Sequence, residues 1–285
     1  DRFVKEIRVL ASLNHPNIAS LHTAFRHGDV LLMTMEYVEG QTLSHKLRLG
    51  AVDVWTGLSY ISQVLHALMY AHERGVVHRD IKPSNIMITA GEKAMLLDFG
   101  LAQFAQEAAA GAETMTAPGA APLTAPGTTM GTWAYMSPEQ ARGEPTDARS
   151  DIFSAGVVLY EMAGGQAPFR GRTSADLSAA ILTFAPPPPS TLQPAVPAKL
   201  DDLIGECLEK DPDLRLQTAA DLRAGLRRLQ APGSTAGPAS SAAVAPAAPP
   251  KVKNRSARWL WPAVAGLAIL AAGAALTIGS PILIS

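Results

Sequence analysis

The sequence predicts an α+β domain, mainly helical with a little strand, followed by a linker and one membrane-spanning helix. Three observations predict it. Leu58, Ile61, Leu65, Leu68 and His72 share one face of a helix, the spacing expected of a helix laid on a core. Two short apolar runs, 86–89 and 94–97, flank Ala90-Gly91-Glu92-Lys93 and read as a hairpin. From Trp259 to Ser285 there is no charged residue, and 263–284 alone is long enough to cross a hydrocarbon layer of about 30 Å as a helix.

Composition narrows the choices further. With 47% hydrophobic and 17% charged residues among 285, the chain is too apolar to be wholly disordered and long enough for a substantial core. Its 24 basic and 25 acidic residues leave a net charge of −1, which provides no basic field for nucleic acid. Cys207 is the single cysteine, so an intrachain disulfide is excluded, and it reads as a small buried residue in a reducing compartment.

In order along the chain, residues 1–13 read as an amphipathic helix through Phe3, Ile7, Leu10 and Leu13, and a start at Asp1 within that pattern suggests that the chain begins inside a domain. Residues 30–38 are apolar enough for a buried strand. The helix through Leu58 and His72 meets Gly75 as a stop signal and delivers the chain to residue 78. Residues 105–129 are Ala, Gly, Pro and Thr for the most part, a loop rather than a core element. Residues 152–162 are apolar on nearly every face and predict a helix buried all round. Pro186 to Pro189 read as a rigid inter-helix loop, in preference to an extended SH3-type ligand.

Residues 231–258 form the linker and 259–285 the span. Lys251, Lys253, Arg255 and Arg258 crowd the flank of that span, and Trp259 and Trp261 sit at interfacial depth, so everything before residue 259 is expected in the cytoplasm. Small residues four apart, Ala268 with Ala272 and Ala275 with Gly279, allow for a homodimer through the span.

The chemistry is concentrated in two strings. His78-Arg79-Asp80-Ile81-Lys82-Pro83-Ser84-Asn85 lies between a helix and a hairpin, and thirteen residues after Asn85 comes Asp98-Phe99-Gly100. The first resembles the catalytic loop of protein kinases and the second their metal-binding segment, with Lys82 marking the serine/threonine type. The resemblance implies a two-lobe fold that binds ATP and Mg²⁺ and transfers the γ-phosphoryl group to Ser or Thr hydroxyls of protein substrates. Such transfer needs a carboxylate to receive or orient the hydroxyl proton, and hard oxygen ligands that hold Mg²⁺ against the phosphates. Asp80 suits the first role and Asn85 with Asp98 the second. Lys82 is placed to offset charge on the transferring phosphate.

Further implications come with the family. Gly131-Thr132-Trp133-Ala134-Tyr135-Met136-Ser137-Pro138-Glu139 resembles the end of an activation segment running over 98–139, with Ser137 where alanine is usual. Glu139 would pair with Arg215, Thr132 would contact Asp80 and Lys82, and Asp151 would brace the catalytic loop, cap its own helix, or do both. Arg79 would meet a phosphate on the activation segment, with Thr128 and Thr129 as the expected sites of modification. Glu6, followed by Asn14-His15-Pro16-Asn17-Ile18, resembles the helix whose glutamate holds a phosphate-binding lysine. Met35, Glu36 and Val38 resemble the gatekeeper and hinge that meet adenine, and Met87 the apolar floor beneath it.

By this resemblance residues 1–40 are an incomplete N-terminal lobe and hinge, and 41–230 a largely complete helical C-terminal lobe. No Gly-rich loop or partner lysine precedes Glu6, so the chain by itself is expected to be nearly inactive. The likeness is to membrane-anchored bacterial kinases of the eukaryotic-like type. A membrane-tethered pseudokinase or binding scaffold is the rival. The remaining histidines, His22, His27, His45, His66 and His72, lack metal-site spacing and are expected to be surface or packing residues.

Overall fold

The computed structural model describes residues 9–27, 30–50, 52–99 and 130–230, and no side chain at Arg26, Val30, Leu31, Met130, Gly131 or Thr132. Glu6, Thr128, Thr129, the low-complexity stretch 105–129, the linker and the proposed span 259–285 lie outside the described residues. No helix among the described residues is long and apolar enough to cross a membrane.

Residues 9–11 are helical, and the turn after them buries Leu13 although the helix has already ended. Strand β1, Leu21–His27, then pairs antiparallel with β2, Val30–Met35, with Phe25 opposite Leu32. The buried strand expected over 30–38 is corrected here in length and in burial. It ends at Met35, and Phe25 and Leu32 remain 50% and 41% exposed, because each strand's only partner among the described residues is the other.

A dipeptide strand that the sequence did not announce, β3 (Gln41–Thr42), leads into α1, Leu43–Arg48, which Thr42 caps by accepting from His45 N. The long helix α2, Val54–His72, starts where Asp53 accepts from the amides of Trp55 and Thr56. The turn beyond its end uses Gly75 at φ +72°, a left-handed conformation that favours glycine. Strands β4, Ile86–Ile88, and β5, Ala94–Leu96, form the expected hairpin and join β3 in a sheet of order β3-β4-β5.

Helices α3 (Pro138–Arg142), α4 (Ala148–Gly164), α5 (Ser174–Thr183), α6 (Ala198–Cys207) and α7 (Ala219–Gln230) complete the described chain. Helix α4 is buried on nearly every face, as its composition predicts, and packs against α2, α6 and α7. Where it meets α6, a Cβ on Gly156 would stand 2.4 Å from the Cβ of buried Cys207. Nothing larger than glycine fits there. The prolines at 186–189 do form an inter-helix loop between α5 and α6, tied down by Tyr160 Oη donating to Pro187 O at 3.0 Å.

The turn at 14–19 is fastened to β5 by backbone and side chain together. Leu96 N donates to Asn17 O and Ala19 N to Leu96 O, while Asn17 Nδ2 donates to Ala94 O at 2.8 Å. Gln63 of α2 accepts from Ala94 N at 3.0 Å and from Asn17 Nδ2 at 3.2 Å. Strand β5 therefore has a fixed position one residue before Leu97 and Asp98.

Candidate active site

Helix α2 and the β4-β5 hairpin bracket the loop 78–85, and α4 supplies its floor. Asp151 of α4, fully buried, accepts from His78 N at 2.8 Å, from Arg79 N at 2.7 Å and from His72 Nε2 at 2.8 Å. Three donors on one carboxylate compensate its burial. Asp151 lies in the first turn of α4 without capping it. The cap is Asp147, which accepts from Arg149 N, so the capping alternative for Asp151 is corrected. Asp151 is turned inward to the loop, whereas Asp147 faces the helix amides.

Arg79 adopts φ +66°, a conformation costing a non-glycine residue roughly 1–2 kcal/mol. The contacts on either side of it hold that geometry. His78 is buried, and its ring nitrogens are both engaged: Nε2 lies 2.7 Å from Leu97 O and so carries the hydrogen, while Nδ1 accepts from Asp80 N at 3.2 Å. The ring is therefore neutral, and burial holds its pKa below the ordinary histidine value despite the nearby carboxylates of Asp151, Asp80 and Asp98.

Asp80 gathers the polar groups. Its Oδ2 accepts from Lys82 Nζ at 2.7 Å and from Asn85 Nδ2 at 2.9 Å, and its carbonyl accepts from the same Nδ2 at 2.9 Å. Oδ1 has no donor among the described residues. Asn85 is buried with its Nδ2 committed to Asp80, and its Oδ1, a hard acceptor, takes no donor from the described residues. Leu97 N donates to Asn85 O at 2.9 Å, and the ring of Phe99 packs on His78 at 4.6 Å between centroids. Asp98, at φ +56° and half-buried, is thus held from both sides by neighbours fastened to the loop that carries Asp80 and Asn85.

The donor set fits a magnesium ion. The described residues contain no cluster of three His, Cys, Asp or Glu that would make an all-protein cage. One carboxylate and one amide oxygen suit Mg²⁺, which keeps waters and substrate phosphates in its shell.

Met35 ends β2, and the chain leaves the strand at Glu36, whose N donates to Ser20 O at 2.8 Å and whose Oε2 accepts from Ser20 N at 3.1 Å. Val38, two residues further on, is half-buried. Met87 is half-buried between two buried neighbours, Ile86 and Ile88, and so faces the opposite side of β4.

At the far end, Ser137 replaces alanine with a purpose: it caps α3, its Oγ accepting from Gln140 N while Gln140 Oε1 accepts from Ser137 N. Glu139 accepts from Arg215 Nη1 and Nη2 at 2.9 and 3.0 Å and from Ser150 Oγ at 2.6 Å. Burial opposes its ionisation, but the Arg215 and Ser150 hydrogen bonds outweigh that and bring its pKa down to about 2. Arg215 also donates to the carbonyls of Glu209 and Arg149. The backbone of Thr132 lies in a short 3₁₀ turn, Met130–Tyr135.

The structure thus brings together Asp80, Lys82 and Asn85, sets Phe99 against His78 so that Asp98 adjoins them, and separately joins Glu139 to Arg215. Sequence reasoning missed His72, which it expected to be a packing residue, and gave no part to His78, Ser150 or Gln140. The capping pattern Ser137-x-x-Gln140 was the one signal available for the last of these.

The α+β domain thus presents an aspartate, a lysine and an asparagine on one strained loop, with a second aspartate beside them. The comparisons identify the family. The family described as "Protein kinase domain" matches residues 1–224. Serine/threonine-protein kinase PknB of Mycolicibacterium smegmatis is 36% identical over 233 residues, covering 80% of this chain and 36% of that protein. A probable serine/threonine-protein kinase of Clostridium acetobutylicum is 35% identical over 222 residues, covering 78% of this chain and 32% of its own length. The PknI kinase domain of Mycobacterium tuberculosis superposes with a TM-score of 0.60 at 26% identity, over 80% of this chain and 77% of that one. The chain belongs to the protein kinase domain family, among relatives named as serine/threonine kinases, and spans about a third of the length of those curated relatives.

Proposed function

We propose that the protein of which this chain is part transfers the γ-phosphoryl group of ATP to Ser or Thr hydroxyls of protein substrates. The observation that carries this reading is the division of labour on Asp80: Oδ2 is held by Lys82 and Asn85, while Oδ1 takes no donor from the described residues and is the oxygen we assign to the acceptor hydroxyl. Magnesium and ATP supply the transferable group and neutralise its charge. Asp80 orients the acceptor hydroxyl and takes its proton, Lys82 moves from Asp80 toward the phosphate as charge builds there, and Asn85 Oδ1 with Asp98 would hold the metal. The Glu36 carbonyl and the Val38 backbone would fix the adenine, with Met35 and Met87 as its apolar walls. Thr132 would select the acceptor, Glu6 would orient a phosphate-binding lysine, and Arg79 would meet a phosphate carried by Thr128 or Thr129.

On the same reading, residues 1–40 belong to the smaller lobe and 41–230 to the larger. The linker 231–258 and a span at 259–285 would tether the kinase domain to the cytoplasmic face of a membrane, with a homodimer allowed through the small residues of the span.

The test is Asp80→Asn in the full-length gene product. Phosphotransfer should fall on the order of 10²- to 10⁴-fold, with nucleotide binding by calorimetry retained. Undiminished turnover would refute the role, and a wild-type protein that binds partners but never phosphorylates would favour the scaffold.

A further inference from the structure

The Arg79–Asp80 peptide group is gripped by a residue outside the catalytic loop. Gln140, on α3, uses both ends of its side-chain amide. Its Oε1 accepts from Ser137 N at 2.9 Å and completes the capping box of its own helix. Its Nε2 reaches across and donates to Arg79 O at 2.7 Å, spanning 61 residues of sequence.

That carbonyl belongs to the residue at φ +66° immediately before Asp80. The peptide on the other side of Arg79 is held through its amide by Asp151, and Asp80 N is held by His78 Nδ1. Gln140 supplies the remaining tie, on the one polar atom of the Arg79–Asp80 peptide that His78 does not reach. Rotation of this peptide would move the Asp80 carboxylate off the line needed for transfer, and small misplacements of a reacting group carry large kinetic costs.

We propose that Gln140 is a positioning residue for phosphotransfer: its amide locks the peptide before Asp80 to the end of the activation segment, so that the carboxylate is aligned only when Ser137-Pro138-Glu139-Gln140 is in place. The inference rests on the kinase reading of Asp80. A single side chain has two tasks that can be separated. A glutamate keeps the capping-box acceptor but has no donor for Arg79 O, and a methionine of similar length has neither.

The experiment uses the full-length gene product with Gln140→Glu and Gln140→Met, measuring kcat, KM for ATP, Tm, and amide hydrogen exchange over residues 77–82. For Gln140→Glu the expected result is a kcat lower by roughly 10- to 100-fold, unchanged KM for ATP, a Tm close to that of wild type, and faster exchange at Asp80 N. For Gln140→Met both kcat and Tm fall. A Gln140→Glu enzyme with wild-type kcat and exchange overturns the inference, as does a kcat that follows Tm across both variants. If wild-type protein shows no phosphotransfer, the kinase reading itself has failed. If wild type transfers phosphate and Gln140→Glu matches it, only the role of Gln140 has.

Discussion

Two carboxylate–cation pairs in this molecule use the same chemistry in opposite surroundings. Glu139 and Arg215 meet through two hydrogen bonds with side chains 6% and 0% exposed, joined by Ser150 and the backbone carbonyls of Glu209, Arg149 and Lys210. Asp80 and Lys82 meet through one contact of 2.7 Å with side chains 27% and 15% exposed. The first has every polar atom answered and nowhere to move. The second has one carboxylate oxygen without a donor among the described residues and ties the lysine by its ammonium. Burial makes a pair structural, and partial exposure keeps it available for chemistry, because solvent and substrate can compete for a half-exposed pair and not for a closed one.

The sharpest way to break the contrast is Arg215→Met. It strands the Glu139 carboxylate in the core with Ser150 as its remaining donor, and should cost about 3–5 kcal/mol in urea unfolding. The double variant Glu139→Gln, Arg215→Met removes the stranded charge and should regain a large part of that loss. A single variant as stable as wild type would show that the pair is not the closed structural unit its geometry describes.

Acid provides a second cut. His78 is held neutral by burial, whereas in the unfolded chain it takes a proton near its ordinary value of 6.5, so stability should begin to fall as pH drops below about 6.5. Glu139 has a folded pKa brought down from 4.5 to about 2, so its contribution is complete above 4.5 and is lost as pH falls toward 2. Urea midpoints measured between pH 8 and 3 should therefore descend in two stages, together on the order of a few kcal/mol. In the double variant the lower stage should shrink to what the other carboxylates held down by hydrogen bonds, Asp53 and Asp147, contribute, and the upper should remain. Persistence of both stages at full size would assign the lower one to other carboxylates.

The same contrast explains what the sequence disclosed. Asp80, Lys82 and Asn85 were legible because their chemistry requires them within one short loop, and α4 because burial on every face leaves a continuous apolar record. Glu139 with Arg215 was reached through the family pattern, since nothing local links residues 76 apart. His72 lies 79 residues from Asp151, and its place on the apolar face of α2 made a packing role the natural expectation. Gln140 showed locally only the capping pattern with Ser137, and its bond to Arg79 O, 61 residues away, leaves no mark in the sequence. Strand β3 has two residues and no period to detect, and the exposure of Leu32 depends on what covers the sheet, which the alternation of a single strand does not encode.

The smallest effect on stability should come from the half-exposed pair, and this makes it the most discriminating. Lys82→Met keeps the apolar stem, removes one donor from Asp80 Oδ2 and leaves Asn85 Nδ2 in place on the same oxygen. A pair exposed to this degree and joined by a single contact lies between surface and buried pairs, so Lys82→Met should cost about 1–2 kcal/mol, well short of Arg215→Met. On the proposed function, phosphotransfer by the full-length protein should nevertheless fall steeply, because the ammonium assigned to the phosphate is gone while the fold that presents Asp80 is intact. A loss of stability comparable to that of Arg215→Met would mean that Lys82 is fixed in the structure and unable to move toward a substrate.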